Sequence, residues 1–311
     1  TWMELIKLGD KTYYIKNNTN IGVYRINERD VILIDSGIDS EVGRKILKVI
    51  RENDMEVVGI INTHSHADHI GGNNFIQSRT NCKIYNVGIE NVIVNNPILE
   101  PMIMYGASPM NDLKNKFLMA KESKSDLLDI LPDGLSYVLL TGHTCSMIGI
   151  ITSDNVFFLG DAIVNSNTIE KYHVFFLDDI ASHMKTLDYL CELKYSLYVP
   201  SHGEITSDIS ELIKINRDKM NEIIDNILNI CLEKTSFEDI LKKIFDKYEL
   251  TLNLMQYYLV GNTIKAYLKY LLESEKLKYL FEDNKIEKFK YIRQGIRDYK
   301  NNIFGEFKNN K

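Results

Sequence analysis

From residue 4 to residue 35, apolar and polar positions alternate in four short runs: ELIKL, TYYIK, IGVYRI and VILID. They are separated by the turn-forming groups Gly-Asp, Asn-Asn and Glu-Arg-Asp. A period of two marks half-buried strands, and connections this short predict an antiparallel meander. The period changes at residue 39. DSEVGRKILKVIREN (39–53) places Val42, Ile46, Val49 and Ile50 on one helical face, with Asp39 or Ser40 as N-cap. The strand VVGIINT follows. Three further apolar runs read as strands ending near a polar residue: SYVLLTGHT (136–144) near His143, NVFFLGDA (155–162) near Asp161 and YSLYVPSHGE (195–204) near His202. Strands alternating with helical segments predict a layered α/β fold, whose sites assemble along one edge of a sheet at the C-terminal ends of its strands.

The stretch THSHADHIGG (63–72) begins where VVGIINT ends and holds His64, His66, Asp68 and His69 within six positions. Packing three imidazoles and a carboxylate together without a cation carries a desolvation cost. A divalent metal accepts imidazole nitrogens and carboxylate oxygens at about 2.0–2.2 Å. One metal could take His64, His66 and His143; a second could take Asp68, His69 and His202; Asp161 would bridge the two. Gly71 and Gly72 are expected to let the backbone swing into the next helix. Each metal then keeps room for water, the open coordination of a catalytic site. Zinc is the default, and iron or manganese fits the same nitrogen and oxygen ligands. The five histidines titrate near pH ~6.5 in water, so metal binding is expected to weaken as pH falls through the mildly acidic range.

HSHADH, GHT, GD and SHG, in this order, resemble the metallo-β-lactamase superfamily, and the resemblance covers residues 4 to about 208. It implies an αββα sandwich with a one- or two-metal site between the sheets. Asp35, in VILIDSG, matches the aspartate that orients the metal loop. Asp161 stands where the best-known β-lactamases carry cysteine, which points toward glyoxalase II, lactonases and the RNA- and DNA-processing members. GHTCSMIG replaces the usual GHTPGSxG.

Residues 90–131 form an insertion in which Met102, Met104, Tyr105 and Met110 suit an adaptable apolar surface near a pocket mouth. His183 is read as structural, His173 as an ordinary half-buried residue. Cys145, beside His143, is read as a small buried thiol; the four cysteines show no CxxC pair and suggest no disulfide framework.

Beyond residue 208 helical spacing takes over. Residues 207–234 carry Leu212, Ile213, Met220, Ile223, Ile224, Ile227 and Ile230 at helical intervals. TSFEDILKKIFDKY opens with Thr235 or Ser236 as N-cap, LMQYYLVGNTIKAYLKYLLES is amphipathic, and LKYLFEDNKIEKFKYI alternates about EDNK as a hairpin should. Helix, helix and hairpin resemble a winged helix, and a connecting helix plus this module resembles the β-lactamase-like-2 endoribonuclease group. The sequence thus divides into a catalytic domain, 1–208, and a connecting helix with a winged-helix-like domain, 209–311.

Composition and charge narrow the function. The 311 residues carry net charge −6, as an ordinary globular protein does. Residues 210–311 hold 19 Lys and Arg against 16 Asp and Glu, which leaves 18 against 27 for residues 1–209; from Lys285 onward the count is 8 against 3. That is a modest basic patch, short of the stripe a tight phosphate binder needs. Dimerisation or substrate gating ranks ahead of nucleic-acid binding for the C-terminal module. The N-terminal run lacks a basic region followed by an apolar core, no run is long enough to span a bilayer, and a cytoplasmic location is expected. The leading expectation is a hydrolase in which a metal-bridging hydroxide attacks a small acyl compound (thioester, ester or lactone), with Asp68 holding the second metal and orienting the nucleophile. A single-stranded RNA endonuclease is the first alternative. The second is a metal-bound, ligand-sensing regulator that binds DNA through the winged helix.

Overall fold

The structure is a computed structural model and describes residues 3–290. Its strands are β1 (Leu5–Lys7), β2 (Thr12–Ile15), β3 (Ile21–Arg25), β4 (Asp30–Ile34), β5 (Glu56–Ile61), β6 (Lys83–Asn86), β7 (Ser125–Leu127), β8 (Leu135–Leu139), β9 (Ile148–Thr152), β10 (Val156–Phe158), β11 (Leu197–Val199), β12 (Thr235–Ser236), β13 (Leu277–Glu282) and β14 (Lys285–Lys290). Its helices are α1 (Ser40–Glu52), α2 (Ala67–Ile70), α3 (Asn73–Thr80), α4 (Gly88–Asn95), α5 (Leu99–Tyr105), α6 (Ser166–Tyr172), α7 (Ile180–Glu192), α8 (Ser210–Ile230), α9 (Phe237–Lys247) and α10 (Leu254–Glu273).

The expected meander forms the first half of a seven-stranded sheet ordered β1 to β7. Its first four strands pair antiparallel, and β4 to β7 pair parallel through helical crossovers. Asp39 caps α1 as expected, accepting from the N–H groups of Glu41 and Val42. A second sheet is ordered β11-β10-β9-β8. Because β9 runs against both β8 and β10, and β10 runs with β11, the strands leading to His143, Asp161 and His202 all point the same way.

The inner faces of the two sheets bury Tyr14, Tyr24, Ile34 and Ile61 against Ile150, Phe158 and Val199. A separate cluster fills the space under α1 and α3. Helices cover both outer faces, giving the αββα sandwich. The apolar cluster outside the second sheet runs without a break from Leu140 and Phe157 through α7 and α8 to Ile240, Val260, Tyr267 and Leu277. The C-terminal helices therefore share a core with the sandwich. At ~1.5–3 kcal/mol for each fully buried large aliphatic or aromatic side chain, that shared core is a substantial tie.

The C-terminal order is helix, strand, helix, helix, hairpin, with a small sheet ordered β12-β14-β13. Ser236 is the N-cap of α9, and the hairpin turns at Asp283 and Asn284, both with positive φ. Most of the basic tail that starts at Lys285 lies outside the described residues. Among the described residues, no helix is long and apolar enough to cross a membrane.

Candidate metal centre

The histidine run leaves the C-terminal end of β5, while His143, Asp161 and His202 leave β8, β10 and β11 of the other sheet. The residues thus meet between the ends of two sheets, as the superfamily resemblance implies, and not along a single sheet edge. Thr63 bridges the sheets, its carbonyl accepting from Ile148 N–H at 2.9 Å. Below the run, Asn62 and Ser36 donate to the His69 carbonyl, and Asn62 and Asn73 exchange side-chain hydrogen bonds. This buried network fixes the base of the loop.

Glycine serves two purposes here. Gly142 and Gly160, immediately before His143 and Asp161, adopt φ +120° and +56°, a region that side chains disfavour. Gly71 and Gly72 are in ordinary helical conformation, contrary to the expected role in a swing. A Cβ would lie 1.9 Å from the Ile38 carbonyl oxygen at Gly71 and 2.3 Å from that of Ser36 at Gly72. Close backbone approach, not conformational freedom, requires them.

The side chains gather into three overlapping groups: His64, His66 and His143; His64, His69 and Asp161; Asp68, His69 and His202. His66 Nδ1 lies 3.1 Å from His64 Nε2 and 3.0 Å from His143 Nε2. Asp161 lies within 3.4 Å of His69 and His143, 3.5 Å of His202 and 4.0 Å of His64. Asp68 Oδ2 sits 3.2 Å from His202 Nε2 and accepts from Thr19 Oγ1 at 3.1 Å.

Outer hydrogen bonds assign the tautomers. His143 Nδ1 faces the Phe176 carbonyl at 2.9 Å, His202 Nδ1 the Asn18 carbonyl at 2.6 Å, and His69 Nδ1 the Asp35 carboxylate at 2.8 Å. Thr63 Oγ1 donates to Asp35 and so can only accept from His64 Nδ1. His66 Nε2 faces Glu100 Oε1 at 3.5 Å. With each outer nitrogen protonated, the inner nitrogen of every neutral ring is a lone pair.

Do these residues fit divalent metal? The inner lone pairs of His64 and His143, at 3.1 and 3.0 Å from that of His66, repel it unless a cation lies among them. Two ligands of a tetrahedral shell at ~2.1 Å would stand about 3.4 Å apart, close to this spacing. His69 Nε2 and Asp161 Oδ1 are buried without a hydrogen-bond partner. The donor set and these orphaned atoms fit two divalent ions.

Electrostatics divides the halves. Burial pushes His66 and His143 down to about 4 and His64 well below the ordinary value. At His202, burial is outweighed by Asp161 and Asp68, and the imidazole is pushed up to about 10; His69 is likewise raised, by Asp68, Asp161 and Asp35. The same contacts hold Asp68 and Asp161 well below the usual carboxylate range despite burial.

Beside Asp161, His143 and His202 opens a cavity of about 360 Å³. Ile163, Val164, Val174, Phe175 and Phe176 form one part of its wall; Leu259, Val260 and Gln256 of α10 form another, and no Lys or Arg lines it.

A profile described as Metallo-beta-lactamase superfamily matches residues 15–202. The chain belongs to the metallo-β-lactamase superfamily. It is 26% identical over 204 residues to the lactamase-like protein aptB of Emericella nidulans, a match covering 63% of this chain and 52% of the relative. To a hydroxyacylglutathione hydrolase of Prochlorococcus marinus it is 25% identical over 138 residues, 44% of this chain and 46% of the relative. The chain thus spans about half the length of the curated relatives it matches. A beta-lactamase domain protein from Burkholderia ambifaria superposes with TM-score 0.68 at 16% identity, over 92% of this chain and 93% of that one. For a metallo-beta-lactamase family protein from Thermus thermophilus the values are 0.65 and 14%, over 93% and 98%. At such identities the likeness concerns the fold.

In this superfamily member two acidic residues escaped the sequence reading. Glu90, on α4, is 2% exposed and takes four hydrogen bonds from the metal loops. Glu100, on α5, faces His66, and burial pushes its carboxyl up to about 8. A lone acid in the apolar run VGIENVIV was the available signal for Glu90. The insertion does not line the cavity beside Asp161, but its Glu100, Ile103 and Met104 line a second cavity, of about 380 Å³, that opens beside His66. Met104 also packs with Leu113 and Leu118 against α10, while Met102 and Met110 are exposed. Cys145, expected to be buried, is exposed, and partial burial pushes its thiol up. His183 is fully buried behind Gly142, and His173 stacks on Tyr248 at 4.7 Å, away from the cavity.

Proposed function

We propose that this chain is a dinuclear metallo-hydrolase acting on acyl compounds with an apolar acyl group, thioesters first, then esters and lactones. The observation that carries the reading is the apolar wall beside Asp161 and His202, which includes no Lys or Arg. An RNA strand carries a charge at every phosphate and calls for a basic groove with stacking platforms. An acyl chain needs only dry volume. Two relatives are named hydroxyacylglutathione hydrolase, and an acyl-glutathione is a thioester.

His64, His66 and His143 would hold one cation, Asp68, His69 and His202 the other, with Asp161 shared. Divalent ions bound there supply Lewis acidity and lower the pKa of a water at the site toward neutrality. The chain does the rest. Asp68 Oδ2, beside His202 and His69, both completes the second group and can accept a proton from the attacking water. The Phe176 ring packs edge-on against His66 at 5.2 Å and His143 at 5.7 Å and lines the cavity beside them. The apolar wall of β10–α6, the 174–176 segment and α10 seats the acyl group and excludes competing water.

One observation favours a second reading, nucleic-acid processing: the helix–strand–helix–helix–hairpin order resembles that of a winged helix. A single panel separates them. Metal-loaded protein is offered thioesters and lactones of increasing acyl length beside labelled single-stranded RNA. Turnover of acyl substrates that improves with chain length is expected; RNA cleavage without acyl turnover would overturn the proposal.

A further inference from the structure

We infer that Glu90 is a positioning residue for the three-histidine half of the site, a buried carboxylate that staples the loop carrying His64 and His66 to the loop carrying His143. The inference rests on the dinuclear reading above. Glu90 Oε2 accepts from the Ser65 N–H at 2.9 Å and the Ser65 hydroxyl at 2.6 Å. Its Oε1 accepts from the Thr144 hydroxyl at 2.6 Å and the Ser146 N–H at 3.1 Å. Ser65 lies between His64 and His66, and Thr144 follows His143. Each carboxylate oxygen therefore grips one loop, and the two loops come from different sheets.

The geometry requires an acceptor at both carboxyl oxygens. Four donors converge on them, and two are backbone N–H groups that cannot turn away. An amide at this position would offer one acceptor oxygen and one NH₂, so only one loop would keep its grip. The second half of the site is held by other groups: Asp68 by Thr19, His69 by Asp35 and His202 by the Asn18 carbonyl. A defect at Glu90 should therefore reach one metal and spare the other. A carboxylate that served only the fold would show no such preference.

The test uses the full chain, stripped of metal and titrated with zinc ion against a chromophoric chelator that resolves two binding constants. Glu90→Gln should weaken one site by ~10- to 100-fold, the usual loss on removing an outer partner of a metal ligand, and leave the other within about twofold. His143→Ala, tested alongside, identifies the weakened site as the three-histidine one. Ser65→Ala and Thr144→Val each remove a single hydroxyl from the staple and should give smaller losses at the same site. Combined with Glu90→Gln they should add little, because their acceptor is already impaired. If Glu90→Gln does not fold, the two hydroxyl variants carry the test by the same selectivity. Equal loss at both sites, or wild-type affinity in the folded variants, would overturn the staple alone. Wild-type protein that takes up no metal would overturn the dinuclear reading and the staple with it.

Discussion

Replacing Asp35 by Asn should weaken binding of both metals by moving two protons. Asp35 is 1% exposed at φ +65°, a conformation that Asn adopts more readily than most residues, so the backbone tolerates the change. Oδ1 accepts the Thr63 N–H at 2.8 Å; Oδ2 accepts the Thr63 hydroxyl and His69 Nδ1–H, both at 2.8 Å. The amide oxygen of Asn must stay with the backbone N–H, which leaves its NH₂ facing the other two groups. His69 Nδ1 then accepts, and its proton moves to Nε2, the metal side. The Thr63 hydroxyl likewise accepts, turns its own proton toward His64 Nδ1 and drives that ring to carry its proton on Nε2. Restoring each coordinating lone pair would leave a buried donor against a donor, ~1–3 kcal/mol per histidine. At about 1.4 kcal/mol per tenfold, this is roughly a 5- to 150-fold loss of affinity for each metal. Chelator competition measures the affinities. The metal-free melting temperature, expected to move only ~2–4 °C for this shape-conserving change, checks the fold. Wild-type affinity at both sites in a folded Asp35→Asn protein would refute the tautomer argument.

His143→Ala should remove mainly the metal of the three-histidine group and His202→Ala mainly the other, each leaving about one equivalent by elemental analysis. The two sites should also part with pH. His66 and His143, at about 4, hold no proton in mild acid, whereas His202, at about 10, is protonated at neutrality, and His69, raised by Asp68, Asp161 and Asp35, holds its proton more tightly than a free imidazole, so the second metal must displace protons to bind. Second-site affinity should therefore fall ~10-fold per pH unit per proton displaced, while the first stays nearly flat down to about pH 4; metal analysis after dialysis from pH 8 to pH 5.5 should show the second ion leaving first. Simultaneous loss near pH ~6.5 would contradict this. Leu259→Trp should fill the apolar cavity, raising KM for long acyl substrates several-fold with short ones spared; equal effects across chain lengths would place the acyl group elsewhere. Gly71→Ala should destabilise the protein by ~3 kcal/mol or more in urea unfolding, because its Cβ would meet a backbone carbonyl at 1.9 Å.

The metal-ligand candidates were legible because their residue types crowd a six-residue run and recur at three strand ends, a pattern that survives without any knowledge of packing. The sandwich was legible for a similar reason: period-two runs and capped helices are local signals, and Asp39 and Ser236 cap where expected. What stayed hidden depends on contacts between distant segments. Glu90 in isolation looks like an ordinary helical glutamate, and only the meeting of the 65 and 144–146 loops buries it. Gly71 and Gly72 advertised flexibility, yet the cause is the proximity of the 36–38 backbone. An aqueous value near pH ~6.5 could not say which metal leaves first, because aqueous pKa values contain neither burial nor the two neighbouring carboxylates.

The unbroken apolar cluster from Phe157 to Tyr267 has a bearing on how such a protein can change. Leu259 and Val260 belong to a helix that lies far along the chain from every candidate ligand, yet they face the volume beside Asp161. Ligand-bearing loops and specificity wall are thus encoded in separate stretches, joined only by packing. On the proposed reading, substitutions along α10 would retune which acyl groups fit without touching a metal ligand. The converse also holds: a chain ending at residue 208 would keep all seven candidate ligands while leaving the cavity open on the α10 side, its reaction exposed to bulk water.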